Sequence, residues 1–187
     1  MQSTQRKWNL GLAVILLSIA ALGRLIPHPP NFTPVGAMAL YGGARLSKAQ
    51  AIILVLLSML LSDWLLTRFM GVPSSEVVGL VVYMSLAATV FIGRWFQKQP
   101  GVRRFVIAIL GTSTLFFVTT NFAVWLFEAL YPRNLQGLLI CYAAAIPFYR
   151  NQLLGDFMWG GSLFLLEILA SPLAARLNQC HPRLIGP

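Results

Sequence analysis

The sequence predicts an all-α membrane bundle of six transmembrane helices, with a short second helix and an extra half-helix before the last span. Three observations carry this. Of 187 residues, 57% are hydrophobic and 10% charged, with a mean hydropathy of +0.72, where soluble domains carry about 25% charged residues. Apolar runs long enough to cross about 30 Å of hydrocarbon recur along the chain. The basic residues fall mainly between those runs, so membrane orientation explains the net charge of +9 better than nucleic acid does. One compact bundle over residues 1–187, with no second domain, is the expectation.

Arg6 and Lys7 precede an apolar run from Trp8 to Gly23. The run has the form of a signal peptide, with Ala21-Leu22-Gly23 as a small-x-small cleavage site. A polytopic chain usually keeps its first span, and we read it as a retained helix. The run ends in Arg24 to Arg45, RLIPHPPNFTPVGAMALYGGAR, the stretch that organises the rest. Pro27, Pro29 and Pro30 break the helix, and Thr33-Pro34 restarts it as N-cap and first helical residue. Ser47 with Gln50 reads as the capping box of the next helix. The second helix therefore has roughly 12 residues, about 18 Å. With Arg45 at one membrane surface it starts near mid-membrane, and the proline-rich run lies at membrane depth. Irregular backbone there is tolerated when buried in protein or lining a wet cavity, and a broken short helix facing such a cavity points to a solute site. An ordinary outer loop before a tilted helix is the plainer alternative.

Small residues fill the second helix, and Ala39 with Gly43 makes a small-xxx-small pair for close helix approach. A third span follows at 48–69, apolar until Asp63 and Trp64, with a turn at Gly71-Val72-Pro73-Ser74. Almost no polar side chains occur in the fourth, at 76–95, which is expected to face lipid. The fifth, 102–129, carries Thr112, Ser113, Thr114, Thr119, Thr120, Asn121 and Glu128. Leu135 to Ile146, opened by Asn134, is too short to cross alone and is expected to end at Ile146-Pro147-Phe148 as a half-helix or an interfacial helix; the charges argue against the alternative of a seventh crossing. The last span is 151–171.

With the N-terminus inside, ten of the fourteen Lys and Arg residues fall in inner segments and four in outer ones. This positive-inside bias places both termini in the cytoplasm. Asp63, Asn121, Glu128 and Asp156 then lie in the outer half, with Arg24, Arg68, Arg150 and the proline break. Charged groups at membrane depth usually face a bundle interior or a wet cavity, so the pattern suggests a cup open to the outside. Each residue also has a structural reading. Asp63 pairs with Arg68, five residues on; Trp64 and Trp125 sit in an interfacial belt; Asn121 joins helices. Asp156 complements the positive start of the last helix, Arg150 anchors at headgroups, and Glu167 pairs with an inner Arg or meets a partner. Cys141 and Cys180 form no CxxC or Cys/His cluster, and His28 and His181 are isolated, so no disulfide, metal site or cofactor is expected. No HExxH, GxSxG or Walker A motif occurs, and the chain is not expected to be an enzyme.

The block RLIPHPPNFTPVGAMALYGGARL, with LLSDWL, TTNFAVW and FYRNQLLGDFMW, resembles a family of small uncharacterised bacterial membrane proteins. That family in turn is similar to the substrate-binding S components of energy-coupling-factor vitamin transporters. A proline-rich outer loop before a short Gly-rich helix, and Pro147-Phe148 followed by Gly155-Asp156, are similar to biotin-type S components. The resemblance implies a six-helix fold in the bacterial inner membrane, solute held near the outer face, and the first loop as a gate. It also implies partners: a transmembrane coupling subunit and ATPases. Matching positions are Asn31, Phe32 and Thr33, Asn121, Arg150 and Asp156; Asp63 and Trp125 join them as candidates from the reading above. Two departures stand out. Trp159 occupies the position where biotin-type members carry Lys, and no clean Ala-xxx-Ala coupling signature occurs in the first helix, where Ala13 is followed by Leu17.

Two functions follow as expectations. One is capture and import of a small micronutrient or vitamin-like solute, with Thr33 at the helix start favouring an anionic or polar head group and Phe32 and Trp125 packing a ring. The other is a non-transporting scaffold subunit of an envelope or cell-shape complex, docking through Glu167 or the small-residue face.

Overall fold

A computed structural model describes residues 11, 15–16, 18–71 and 75–180, with side chains to residue 169. The basic start of the first span, the Ala13 and Leu17 positions, the Val72-Pro73-Ser74 turn, and His181 lie outside it. The described residues form six helices and no strand. They are α1 (helical at 11, 15–16 and 18–23), α2 (Val35–Arg45), α3 (Lys48–Met70), α4 (Glu76–Gln97), α5 (Val102–Phe127) and α6 (Leu135–Cys180). Of these, α3, α4 and α5 are long and apolar enough to cross a membrane. The expectation of six crossings is met in helix number and in these three spans, not in six spans of that kind.

The short second helix is there, and it is the hub. Nine of its eleven residues are buried, from Val35 to Ala44, and it packs on α3, α4, α5 and α6, most extensively on α4. Its small residues explain the closeness. A Cβ on Gly93 would lie 2.1 Å from the Leu40 carbonyl oxygen and 3.1 Å from Gly43 Cα, and one on Gly43 would lie 2.2 Å from the Val90 carbonyl oxygen. The two backbones touch where those glycines face each other. The fourth helix thus does more than face lipid: Ser85, Leu86, Thr89, Val90 and Gly93 turn inward, while Leu80, Met84 and Phe91 turn outward.

One buried cluster joins Leu16 and Ala20 of α1, Val35, Met38 and Ala39 of α2, Leu54, Val55 and Met59 of α3, and Leu86 and Val90 of α4. A second joins Leu40 and Ala44 to Phe96, Ala108 and Ile109 at the other end. There Arg45 Nε meets Glu167 at 2.8 Å, and the guanidinium lies over the Tyr41 and Phe164 rings. Of the two readings of Glu167, an ion pair or a partner contact, the structure shows the pair, with Arg45.

Local signals hold unevenly. Ser47 and Gln50 form both halves of the capping box, and Asn134 Oδ1 accepts from the Gly137 N–H at 2.8 Å. The start of α2 is shifted: Pro34, not Thr33, is the N-cap, and no side chain of the cap residue serves it. The half-helix before the last span is overturned. Leu135 to Cys180 is one helix of 46 residues, running through Pro147. A proline removes one intrahelical bond and crowds the preceding turn, and two long flanking stretches of intact hydrogen bonding outweigh that. At about 69 Å, α6 is more than twice the hydrocarbon thickness.

Substituting leucine at Gly43 or Gly93 is expected to destabilise the protein by at least about 1–3 kcal/mol, the usual cost of overpacking. Gly79→Leu and Gly111→Leu, where an added Cβ meets nothing within 4 Å, are the controls. Thermal unfolding in detergent with a matched set of four variants reads the difference, and equal melting of all four would contradict backbone contact at this crossing.

Candidate functional site

The chain between α1 and α2 makes a tight turn. Pro29 accepts from the Phe32 N–H at 3.0 Å, and Asn31 has φ 63°. Proline at the second position and asparagine with positive φ at the third is the pattern of a type II turn. Asn151 Nδ2 donates to the Pro30 carbonyl at 3.2 Å, and Phe32 rests on Gly155, where a Cβ would come within 3.3 Å of Phe32 Cα. Two residues of α6 thus hold the turn down.

Beneath it lies a cavity of about 180 Å³ lined from α2 to α6 and from the chain that follows α1. Arg24 comes from just past α1, Asn31 and Thr33 from the turn, and Val35 and Gly36 from the start of α2. Met59, Val82, Leu86 and Phe116 close it from α3, α4 and α5, and Gln152 and Asp156 from α6. Met59 and Leu86 lie about midway along their helices, so α2 begins at the depth where α3 and α4 are half complete.

Asp156 is only 4% exposed. Ser113 Oγ donates to its Oδ2 at 2.7 Å, and the Gln152 amide and the Ala37 backbone N–H point at the same carboxylate. A Cβ on Gly36 would stand 2.5 Å from Oδ1. The acid therefore does sit at a positive helix end, but at that of α2 and not of its own helix, where it falls mid-length. It caps across the bundle, and Gly36 makes room for it.

Arg24 forms the opposite wall. Its guanidinium lies 2.6 Å from Asp63 Oδ1, 2.5 Å from Ser62 Oγ and 3.3 Å from Met59 Sδ. Tyr83 donates to Asp63 Oδ2 at 2.6 Å. Asp63 thus pairs with Arg24 across 39 residues of chain, not with Arg68, whose guanidinium lies over Phe69. A second cavity of about 210 Å³ lies beyond this pair, bounded by Asp63, Leu66, Ser75, Val78 and Tyr83 and sharing Arg24, Met59 and Val82 with the first.

Of the residues expected at a site, Asn31, Thr33 and Asp156 line the first cavity, and Asp63 the second. Phe32 packs beside them on Gly155. The structure does not bring the other three there. Asn121 Nδ2 donates to the Phe117 carbonyl of its own helix at 2.8 Å. Trp125 Nε1 donates to the Pro132 carbonyl at 3.0 Å, tying down the α5–α6 connection, and Arg150 is exposed. Sequence reasoning missed Gln152 as a cavity residue; the signal was its place one turn before Asp156. At the far end of the bundle an apolar cavity of about 570 Å³ opens between Phe96, Phe105 and Phe164, beside the Arg45–Glu167 pair.

The arrangement defines a helical membrane protein with a small cavity of mixed polar and apolar lining at the buried start of a short helix. A family of unknown function (DUF6580) matches residues 2–177, and the chain belongs to that family. No curated protein and no solved structure matches it.

The Arg24–Asp63 pair is about one-fifth exposed, so removing one partner is expected to cost less than the about 3–5 kcal/mol of a fully buried pair. Asp63→Asn should lower the unfolding midpoint, and the double variant Arg24→Leu with Asp63→Leu should recover part of that loss. A double variant no more stable than the sum of its singles would show that the two charges do not interact.

Proposed function

We propose that this chain is an S-component-like membrane protein that captures a small micronutrient or vitamin-like solute and helps to import it. The observation that carries the reading is the cavity under the proline-rich turn, with Arg24, Asn31, Thr33, Gln152 and Asp156 in its wall, set at the buried N-terminus of α2. Irregular backbone beside a short helix at membrane depth belongs where a solute is held. With six crossings in the bacterial inner membrane and both termini cytoplasmic, that cavity opens toward the outer side.

The turn is suited to gating. Two prolines stiffen it, so it moves as a unit, and one side-chain hydrogen bond and one ring contact hold it to α6. Lifting it opens a path from outside. Ordinary ligand pockets measure about 300–1,000 Å³, larger than either cavity as it stands. Arg24 and Met59 separate the two, and a swing of Arg24 with Asp63 joins them into a space within that range. The chain carries no nucleotide-binding motif, so the energy for release inward comes from a coupling subunit and ATPases on other chains.

Native mass spectrometry of the protein gently purified from its own membrane tests this. A stoichiometric small molecule is expected. Asn31→Ala and Gln152→Leu should each weaken its binding about tenfold or more, a change of about 1.4 kcal/mol, while Asn121→Ala and Arg150→Ala should leave it unchanged. No bound solute but a reproducible envelope-complex partner would replace capture with a scaffold role.

A further inference from the structure

Deepening that reading, and resting on it, we infer that the cavity takes a small cationic solute that donates hydrogen bonds, an amine- or amidinium-type group, with Asp156 as its counter-charge and Gln152 Oε1 as its neutral acceptor.

The first ground is charge. The ion pairs among the described residues join Arg24 to Asp63 and Arg45 to Glu167; neither reaches Asp156. The groups that meet its carboxylate are neutral donors: the Ser113 hydroxyl, the Gln152 amide and the Ala37 N–H. A partial positive charge from the α2 terminus offsets it in part. An acid buried this deep without a cation is costly, and such acids are found paired. Arg24, the cation on the facing wall, is engaged by Asp63 and Ser62.

The second ground is an orphan acceptor. Gln152 is 8% exposed and lines the cavity, and its Oε1 is buried without a hydrogen-bond partner. The orientation of this amide is fixed by chemistry. A carboxylate only accepts hydrogen bonds, so the nitrogen of Gln152 must face Asp156 and the oxygen must be the free end. A buried acceptor left unpaired costs about 1–3 kcal/mol, and a donor in the cavity removes that cost. Carboxylate and amide oxygen lie one turn apart on α6, so one small group with two N–H bonds can meet both.

The same geometry argues against an anion. At the start of α2, the natural anion site, the Ala37 N–H already meets Asp156. The head-group preference expected from Thr33 at that helix start is therefore reversed, because the acid from α6 occupies the place an anionic solute would take.

The test uses the full chain in detergent, with ethylammonium chloride as the cationic probe and sodium acetate as the anionic one, each against sodium chloride at equal ionic strength. A ligand that binds the folded state raises the melting temperature in a saturable way. The expected result is a saturable rise with ethylammonium, none with acetate beyond sodium chloride, and loss of the rise in Asp156→Asn. That variant keeps an oxygen for the Ala37 N–H, and its melting without probe shows whether it folds. Should it not fold, Gln152→Leu serves instead: without the neutral acceptor the ethylammonium response should weaken several-fold. No ethylammonium response, an equal or larger acetate response, or a rise that persists in Asp156→Asn overturns the inference, as does an undiminished response in Gln152→Leu. An anionic solute in the native mass spectrum overturns it while leaving capture standing, whereas an empty protein removes capture itself.

Discussion

An eleven-residue helix that begins inside a bundle leaves backbone N–H groups without intrahelical partners where there is little water to satisfy them. The fold answers this at the start of α2 with the carboxylate of Asp156, brought from α6 and seated against Gly36. The other end is tied to the same helix through Arg45 and Glu167. Asp156 and Glu167 are eleven residues apart on α6, about 16 Å along its axis, which is close to the length of α2 itself. Two acids on one long helix therefore hold the short helix at both ends. The glycine contact with α4 then fixes how deeply it sits.

The site inherits its character from that constraint. Because α2 starts in the interior, the chain leading into it must also descend, and the proline turn does so with Asn31 in the left-handed region. The space left under the turn is bounded by the groups that hold the fold together: Asp156 caps α2, Gln152 supports Asp156, and Arg24 ties the end of α1 to α3. Structural and solute-binding tasks fall on the same side chains. Losing one of them would disturb both, which is why charge-matched probes tell more than deletion alone.

Much of the local structure was legible. The capping box at Ser47, the cap at Asn134, the small-residue stripe of α2 and the proline break each rest on neighbours within a few residues, so sequence spacing carries them. Pro147 misled for an instructive reason. Its effect on backbone hydrogen bonding is local, and nothing nearby reveals that α6 continues for a further thirty-odd residues. For Asp63, a site candidate, the structural alternative was a pair with Arg68 on its own helix, at a poor spacing of five residues; Arg24 reaches it instead from another element. Asn121, Trp125 and Arg150 have the right chemistry for a site but spend it on their own helix, on a connecting segment and at the surface.

The sequence by itself determined the helical membrane class, the helices before the last one and the proline break ahead of a short second helix, because composition, apolar run length and proline placement act locally and additively. Only the tertiary structure decided which charges meet and which helix end Asp156 serves. It also decided that the oxygen of Gln152, a residue of the cavity wall, is left without a hydrogen-bond partner. Those outcomes depend on contacts between residues tens to more than a hundred positions apart, and the chain's own order does not encode which of several acids and several cations will be brought within 3 Å.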